Sequence, residues 1–339
     1  MKIIIERNIP YIAGALERHG EVAYLRAGEI TREAVSDADA LFVRTRTRCN
    51  AELLEGSRVK FIATATIGTD HIDLDYCRSR GITVVNAPGC NAPAVAQYVF
   101  AVIGKRFTGA DLSGLRLGVV GVGNVGSIVA RWGERLGMNV LRCDPPRQRR
   151  EGGDFVDLRQ VAEQCDIITF HTPLNLSGVD ATYHLADADW LGGLSRCRLL
   201  INSSRGEVVD NSALAAAIGK TVECAAIDCW ESEPAIDREL LGKAFVATPH
   251  IAGYSSEGKK RATAMTLEAF SRHFGVAVDG IPTIEAPSRG ADIDSIEQVT
   301  ATYNPLDDTE MLRTSPDKFE DLRNNYNLRH EVVTAGNIK

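Results

Sequence analysis

The chain has 339 residues, 38 Lys and Arg against 45 Asp and Glu for a net charge of −7, and 44% hydrophobic residues. That length allows two or three domains with sizeable cores, and the acidic balance argues against a general nucleic-acid role. No apolar run reaches membrane-spanning length, and Met1 leads directly into an apolar strand with no signal-peptide pattern, so a cytoplasmic protein is expected. The eight cysteines form no CxxC pair and no His/Cys cluster with metal spacing, so reduced, mostly buried thiols and no metal are expected. Cys224 and Cys229 flank a strand and read as core.

The first ninety residues alternate strand and helix patterns. Strands are expected at 2–5, 22–25, 40–44, 61–64 and 83–86, with helical patterns between them at 10–19 and 74–80. Asp70 is expected to cap a helix that starts near His71. A helix over 91–104 follows, with Pro93 in its first turn. A second alternating series has strands at 117–120, 139–143, 167–170, 199–202, 225–228 and 245–247. Such alternation predicts parallel sheets with helices on both faces. The next helix, 256–274, is expected to return to the first domain. Residues 281–296 read as a linker, and 297–339 as a polar terminal segment with a helix near 316–329.

The densest signal is the stretch 117–126, LGVVGVGNVG. An apolar strand runs into Gly121-x-Gly123-x-x-Gly126, followed by Val125, Ile128, Val129, Trp132 and Leu136 at helical spacing. The first glycine permits a sharp turn, the second lets a pyrophosphate approach the backbone, and the third lets helix pack closely on strand. Amides at the helix start, around Asn124 and Val125, then face the phosphates. The second strand ends at Asp144, about twenty residues past the glycines. An acid there suits the ribose 2′-hydroxyl of NAD and repels the 2′-phosphate of NADP. Arg147, Arg149 and Arg150 lie just downstream and work against that repulsion.

Ligands in open α/β sheets bind beyond the carboxyl ends of the strands. Four strand ends carry candidates: His171-Thr172-Pro173, Ser203-Ser204-Arg205-Gly206, Asp228 through Glu233-Pro234, and Thr248-Pro249-His250. Arginine grips a carboxylate with two parallel hydrogen bonds, and histidine exchanges a proton near neutrality. A carboxylate beside the histidine orients its ring and favours imidazolium. Arg205, Glu233 and His250 are thus the parts for oxidising an alcohol next to a carboxylate, whereas His171 is expected to be a packed residue beside a cofactor-touching Thr172.

These segments resemble the D-isomer-specific 2-hydroxyacid dehydrogenases. The matches are GVVGVGNVG, Asp144, FHTPL at 170–174, NSSRGEVVD at 202–210, AIDCWESEP at 226–234 and TPHIAGY at 248–254. Within the family, TATIGTDHID at 64–73, APGCNA at 87–92, CDPPR at 143–147, HIAGYSSEGK at 250–259 and LRNNYNLRHE at 322–331 resemble the erythronate-4-phosphate dehydrogenase branch. The resemblance implies NAD-dependent oxidation of 4-phospho-D-erythronate to 2-oxo-3-hydroxy-4-phosphobutanoate in pyridoxal phosphate synthesis. The alternatives are another NAD-dependent D-2-hydroxyacid dehydrogenase, of phosphoglycerate or glyoxylate/hydroxypyruvate type, and a non-catalytic NAD-sensing protein.

By motif, Arg205 would hold the carboxylate and 2-oxygen, His250 would be acid/base, and Glu233 its partner. Gly121, Gly123, Asn124, Val125, Gly126, Asp144, Thr172, Ser203, Ser204, Asp228 and Gly253 would line the cofactor. Thr45, Thr66 and Tyr254 match substrate-contacting positions. Arg44, Arg46 and Arg48 alternate past the third strand and would share one face if it continued, which makes Arg44 or Arg46, with Thr45, the candidates for the substrate phosphate. The fold class expected is α/β: two Rossmann-like doubly wound parallel-sheet domains with a cleft between them, plus a small C-terminal extension. Residues 1–92 and 255–280 would form the substrate-binding domain, 93–254 the NAD-binding domain, and 281–339 a linker and C-terminal dimerisation segment. The expected assembly is a homodimer, to which the helix 91–104 contributes, with a phosphorylated 2-hydroxy acid as the small-molecule partner and neither nucleic acid nor membrane.

Overall fold

Two wholly parallel sheets organise the chain, each inside its own unit, in a computed structural model that describes residues 1–282 and 292–332. The first unit is Met1–Asn91 with the segment that starts at Ser255. Its strands are β1 (Lys2–Glu6), β2 (Glu21–Leu25), β3 (Ala40–Val43), β4 (Phe61–Thr64) and β5 (Thr83–Val85), in the order β2-β1-β3-β4-β5. A parallel sheet is covered on both faces, which is why β3 and β4 are buried at every residue and read as apolar runs. Alternate residues serve opposite faces. Ile3, Ile5, Phe42 and Phe61 pack with Phe270 of the helix Ser256–Phe274, and Ile4, Leu41, Val43 and Ile62 pack with Val35, Leu54 and Cys77. That long helix starts where the Ser255 hydroxyl accepts the Gly258 amide at 2.9 Å and stops at Gly275, whose φ of +66° is left-handed.

Three expectations for this unit need correction. Most of 10–19 is not helical. Tyr11 and Gly14 have left-handed φ of 61° and 85°, the Glu17 carboxylate takes the amides of Gly14 and Leu16, and only Glu17–His19 winds, as a 3₁₀ turn. The helix after His71 begins at Leu74, and its cap is Asp73, which accepts from the Tyr76 amide, not Asp70. Strand β3 stops at Val43 because the Arg44 amide turns to the buried Glu6 carboxylate at 2.8 Å, so the three arginines do not share a strand face.

The second unit is Ala92–Tyr254 with the segment after residue 291. Its strands are β6 (Arg116–Val120), β7 (Asn139–Cys143), β8 (Ile167–Phe170), β9 (Leu199–Asn202), β10 (Ala225–Ile227) and β11 (Val246–Ala247), ordered β11-β10-β9-β8-β6-β7. After β7 the chain returns to the other side of β6, which places a topological switch point between β6 and β8, where such sheets bind ligands. Helix Ala92–Arg106 is buried over nearly its whole length within its own chain, with Phe100 5.7 Å from Trp132. Its apolar sequence is therefore accounted for by core packing.

The described terminal residues are not a separate extension. Helices Ile296–Thr300, Pro305–Thr314 and Phe319–Asn324 belong to the second unit. Gly104 lets the first of them approach: a Cβ there would lie 2.4 Å from Thr300. The Thr309 hydroxyl accepts the Ala247 amide at 3.1 Å and so occupies a donor on the edge strand β11. The helix expected over 316–329 is confined to Phe319–Asn324 after a 3₁₀ turn at Pro316–Lys318. The parts of the expected linker and terminal segment at 283–291 and 333–339 lie outside the described residues.

Candidate active site and cofactor site

The glycine loop joins β6 to helix Asn124–Arg135 at the switch point. Gly121 has φ +86°, and a Cβ there would come within 2.9 Å of the His171–Thr172 backbone. A Cβ on Gly126 would sit 2.0 Å from the Gly121 carbonyl oxygen, so only glycine lets the helix meet the turn. A Cβ on Gly123 meets nothing within 4 Å; its methyl would point into open space beside the helix start. No side chain caps that helix, so the amides at Asn124 and Val125 are available to an anion. A cavity of about 450 Å³ opens here, lined among others by Val122, Gly123, Asn124, Asp144 and Arg147.

Asp144 closes the loop. Its carboxylate accepts the Val122 amide at 2.8 Å and caps helix Pro145–Glu151 through the Arg147 amide at 2.9 Å. The basic residues after it are paired: Arg147 and Arg150 with Glu151 at 2.6 and 2.9 Å, and Arg149 with Asp180 at 2.6 Å. Arg147 and Arg150 share one carboxylate, so the arginines are only partly neutralised; the acid at the end of β7 is the feature that fits NAD. The fit extends to the next strand ends. Thr172 Oγ1 and Ser203 Oγ are buried polar atoms without a hydrogen-bond partner among the described residues, at two positions expected to line the cofactor. Burial pushes the neighbouring His171 imidazole down to about 3, and its Nε2 lies 3.0 Å from Thr169 Oγ1; it stays neutral and packed.

Arg205 follows β9 and donates from Nη1 to the Ser204 carbonyl at 2.8 Å. Its backbone carbonyl is held by the Asn202 side chain at 2.8 Å, and Asn202 also accepts the Ser204 hydroxyl at 2.9 Å. The Ser204 side chain thus serves the loop. Gly206 allows the ends of β9 and β10 to touch, since a Cβ there would be 2.0 Å from the Trp230 carbonyl oxygen.

His250 and Glu233 come together as expected partners in space. His250 Nδ1 lies 3.0 and 2.9 Å from the two Glu233 oxygens, and the Trp230 amide donates to Oε1 at 3.0 Å. Burial opposes ionisation of Glu233, but the His250 charge and hydrogen bond, the Trp230 amide and Arg323 outweigh it and hold the carboxyl below its usual range. Its contribution to stability is therefore present above the ordinary carboxylate range and is lost as pH falls through the lowered value. The Glu233–Pro234 peptide is cis.

His250 itself has φ 57°, a left-handed conformation that costs a non-glycine residue roughly 1–3 kcal/mol. Asp228 holds the chain there. Its backbone carbonyl accepts the His250 amide at 2.9 Å. Its carboxylate accepts the Thr248 hydroxyl at 2.7 Å and the amides of Ile251 and Ala252 at 2.8 and 3.0 Å. With 1% exposure and those donors in place, its side chain is the scaffold of the His250 loop rather than part of the cofactor surface. Burial raises its pKa, against the opposing pull of His250, the Thr248 hydroxyl and the two amides. Gly253 and Tyr254 continue the loop, and the Tyr254 amide donates to the Ile251 carbonyl at 2.8 Å.

The expected substrate residues of the first unit sit at its own strand ends. Glu6 Oε2 fixes the 44–47 turn, accepting the Arg44 amide at 2.8 Å and the Thr47 hydroxyl at 3.3 Å, at the switch between β1 and β3. Thr45 and Arg46 are exposed, and Arg44 Nη1 donates to the Asn8 carbonyl at 3.2 Å. Thr66 Oγ1 is 2.7 Å from Thr64 Oγ1. Arg48 lines a different cavity, of about 180 Å³, with Asn50, Asp70 and His71. No group of three His, Cys, Asp or Glu side chains among the described residues is arranged to hold a metal.

Sequence reasoning missed two arginines of the terminal segment. Arg323 Nη1 lies 3.8 Å from Glu233 Oε2, and Arg329 donates to the carbonyls of Ile251 and Ala252. The stretch 322–331 that holds both was singled out by the family resemblance, but no periodicity or spacing in it links either arginine to His250.

Comparison with known proteins agrees with this geometry. Residues 95–252 match the family described as D-isomer specific 2-hydroxyacid dehydrogenase, NAD binding domain, which is the class that the glycine loop, Asp144 and the His250–Glu233 pair define. The erythronate-4-phosphate dehydrogenase of Bacteroides thetaiotaomicron is 49% identical over 338 residues, covering 98% of this chain and 97% of its own. That of Bacteroides fragilis (strain ATCC 25285) is 47% identical with the same coverage. Among solved structures, the TT0316 protein from Thermus thermophilus superposes with a TM-score of 0.71 at 26% identity, covering 82% of this chain and 99% of that one. The chain belongs to the erythronate-4-phosphate dehydrogenase family and is an NAD-dependent dehydrogenase.

Proposed function

We propose that this protein oxidises 4-phospho-D-erythronate at C2 to 2-oxo-3-hydroxy-4-phosphobutanoate, in the synthesis of pyridoxal phosphate. The observation that carries the reading is the His250 Nδ1–Glu233 contact at 2.9 Å, next to the strand end that bears Arg205. Glu233 pins Nδ1, which leaves Nε2 to take the proton of the 2-hydroxyl. Arg205 holds the carboxylate and the 2-oxygen by a planar two-point grip that an ammonium cannot reproduce. The amides at Asn124 and Val125, with Gly121, Gly123, Gly126, Asp144, Thr172, Ser203, Ser204 and Gly253, would hold NAD, which when bound accepts the hydride from C2. Thr45, Thr66 and Tyr254 are the proposed substrate contacts, with Arg44 or Arg46 on the phosphate. The relatives' names supply the substrate, and the phosphate they share is what the arginines would read. We further propose a homodimer in the cytoplasm. Among the described residues no helix is long and apolar enough to cross a membrane, and a monomer by light scattering at micromolar concentration would refute the dimer.

The test is turnover. The purified protein should form NADH from NAD and 4-phosphoerythronate, and His250→Ala should remove most of it, about 10²–10⁴-fold, while NADH still binds. Binding of NADH without turnover of any 2-hydroxy acid would instead identify an NAD sensor.

A further inference from the structure

Ile251 and Ala252, the two residues that follow His250, are held by opposite charges, at their amides by one and at their carbonyls by the other. On one side the Asp228 carboxylate accepts the amides of Ile251 and Ala252. On the other, the Arg329 guanidinium donates to their carbonyls, from Nη1 to Ile251 at 3.0 Å and from Nη2 to Ala252. Arg329 is 9% exposed, and its remaining donors are also engaged: Nε on Gln97 Oε1 at 3.0 Å, Nη2 on the Ala94 carbonyl at 3.1 Å, and Nη1 on the Tyr326 hydroxyl at 3.3 Å. The guanidinium also lies 4.3 Å from the centre of the Tyr303 ring. Gln97 is in turn fixed by the terminal segment, donating to Thr302 Oγ1 at 3.0 Å and to the His330 carbonyl at 2.9 Å.

We propose that Arg329 is a positioning residue for the acid/base histidine: the terminal segment of this chain reaches into the second unit and sets the backbone that carries His250. The physical need is local. His250 occupies a left-handed φ of 57°, and a strained residue keeps its conformation only where its surroundings over-determine it. Asp228 fixes the amides of Ile251 and Ala252, the Tyr254 amide adds one bond to the Ile251 carbonyl, and Arg329 is the side chain that ties both carbonyls. A planar fork with five donors can hold two successive carbonyls and still reach Gln97 and Ala94, whereas a single ammonium cannot. The loop that orients His250 on Glu233 is therefore closed by a residue some eighty positions downstream, and the terminal segment acts on the chemistry of its own chain whatever else it does.

The inference rests on His250 being the acid/base group, and the experiment separates the two. Arg329→Lys and Arg329→Ala are compared with His250→Ala for kcat, for KM of NAD, for NADH affinity and for amide exchange across 248–254. The expected result is a fall in kcat of about 10²-fold, the cost of a small misplacement of a reacting group. KM for NAD and NADH affinity should hold, exchange at Ile251 and Ala252 should accelerate, and added guanidinium should restore part of the activity of Arg329→Ala. A merely structural arginine would lower kcat and NADH affinity together and show no such rescue. If the Arg329 variants bind NADH and turn over at the parent rate while His250→Ala is inactive, the inference is overturned and the catalytic reading stands. If His250→Ala turns over normally, the catalytic reading itself fails. If neither Arg329 variant folds, the guanidinium serves the whole unit, and the positioning role is rejected.

Discussion

Replacing Glu233 by glutamine keeps the size of the side chain and removes its charge. In the parent, both carboxylate oxygens lie within 3.0 Å of His250 Nδ1, while the Trp230 amide donates to one of them. Glutamine has one acceptor oxygen for those two donors, and its amide group must face one of them. The charge matters more. The substitution takes away the carboxylate that holds Nδ1 and steadies the ring through proton transfer. Arg323, 3.8 Å from Glu233 Oε2, loses its counter-charge in the same substitution. Reduction of the 2-oxo acid takes its proton from His250, so Glu233→Gln should slow reduction first, by about tenfold or more. Oxidation, which starts from neutral imidazole, should suffer less at alkaline pH. The assay is the pH–rate profile in both directions by NADH absorbance, with NADH affinity as the control. A reductive profile that superimposes on the parent would refute the pairing of Glu233 with His250 as the source of the proton.

Other predictions concern the cofactor loop, the partly buried His171 and the phosphate. Gly126→Ala places a methyl 2.0 Å from the Gly121 carbonyl oxygen. It should cost about 1–3 kcal/mol of packing and weaken NADH binding roughly tenfold to a hundredfold, whereas Gly123→Ala should keep the melting temperature and lose only NADH affinity. Equal stability and affinity in both variants, by thermal melts and fluorescence titration, would contradict the assigned roles. Burial depresses His171 to about 3, so folding excludes a proton that the unfolded chain binds below about 6.5. Its contribution is present above that value and is lost as pH falls towards 3, at about 1.4 kcal/mol per pH unit; the stability of His171→Gln should fall less steeply over that window in urea titrations. Arg44→Ala or Arg46→Ala should raise KM for the phosphorylated acid roughly tenfold, as expected for one lost charge-assisted hydrogen bond. An unchanged preference for the phosphorylated acid in both variants would place the phosphate elsewhere.

The strands and the glycine loop were legible because their causes are local. Parallel strands buried on both faces read as apolar runs, and 61–64, 167–170 and 199–202 keep the boundaries read from the sequence, as does the half-buried edge strand 139–143. Side chains that capture backbone amides, near in sequence or far, decided what was not legible. Glu17 captures the amides that a helix over 10–19 would need, and Glu6 ends β3 by taking the Arg44 amide. The glycines, His250 and Glu233 stand out because strand ends concentrate chemistry. Asp228 stands at such an end too, but only the structure gives its carboxylate to Thr248, Ile251 and Ala252. Arg329 lies far from the loop in sequence, with no periodic pattern to announce it.

The central claim is a phosphate-bearing 2-hydroxy acid oxidised with NAD, and one comparison tests it most directly: kcat/KM for NAD reduction across a panel of D-2-hydroxy acids, with and without a terminal phosphate, repeated with NADP. The account predicts that 4-phosphoerythronate leads the panel, that erythronate falls well behind it, and that NAD outperforms NADP. Phosphoglycerate, glyoxylate or hydroxypyruvate chemistry leading instead, or equal efficiency with and without the phosphate, would contradict it.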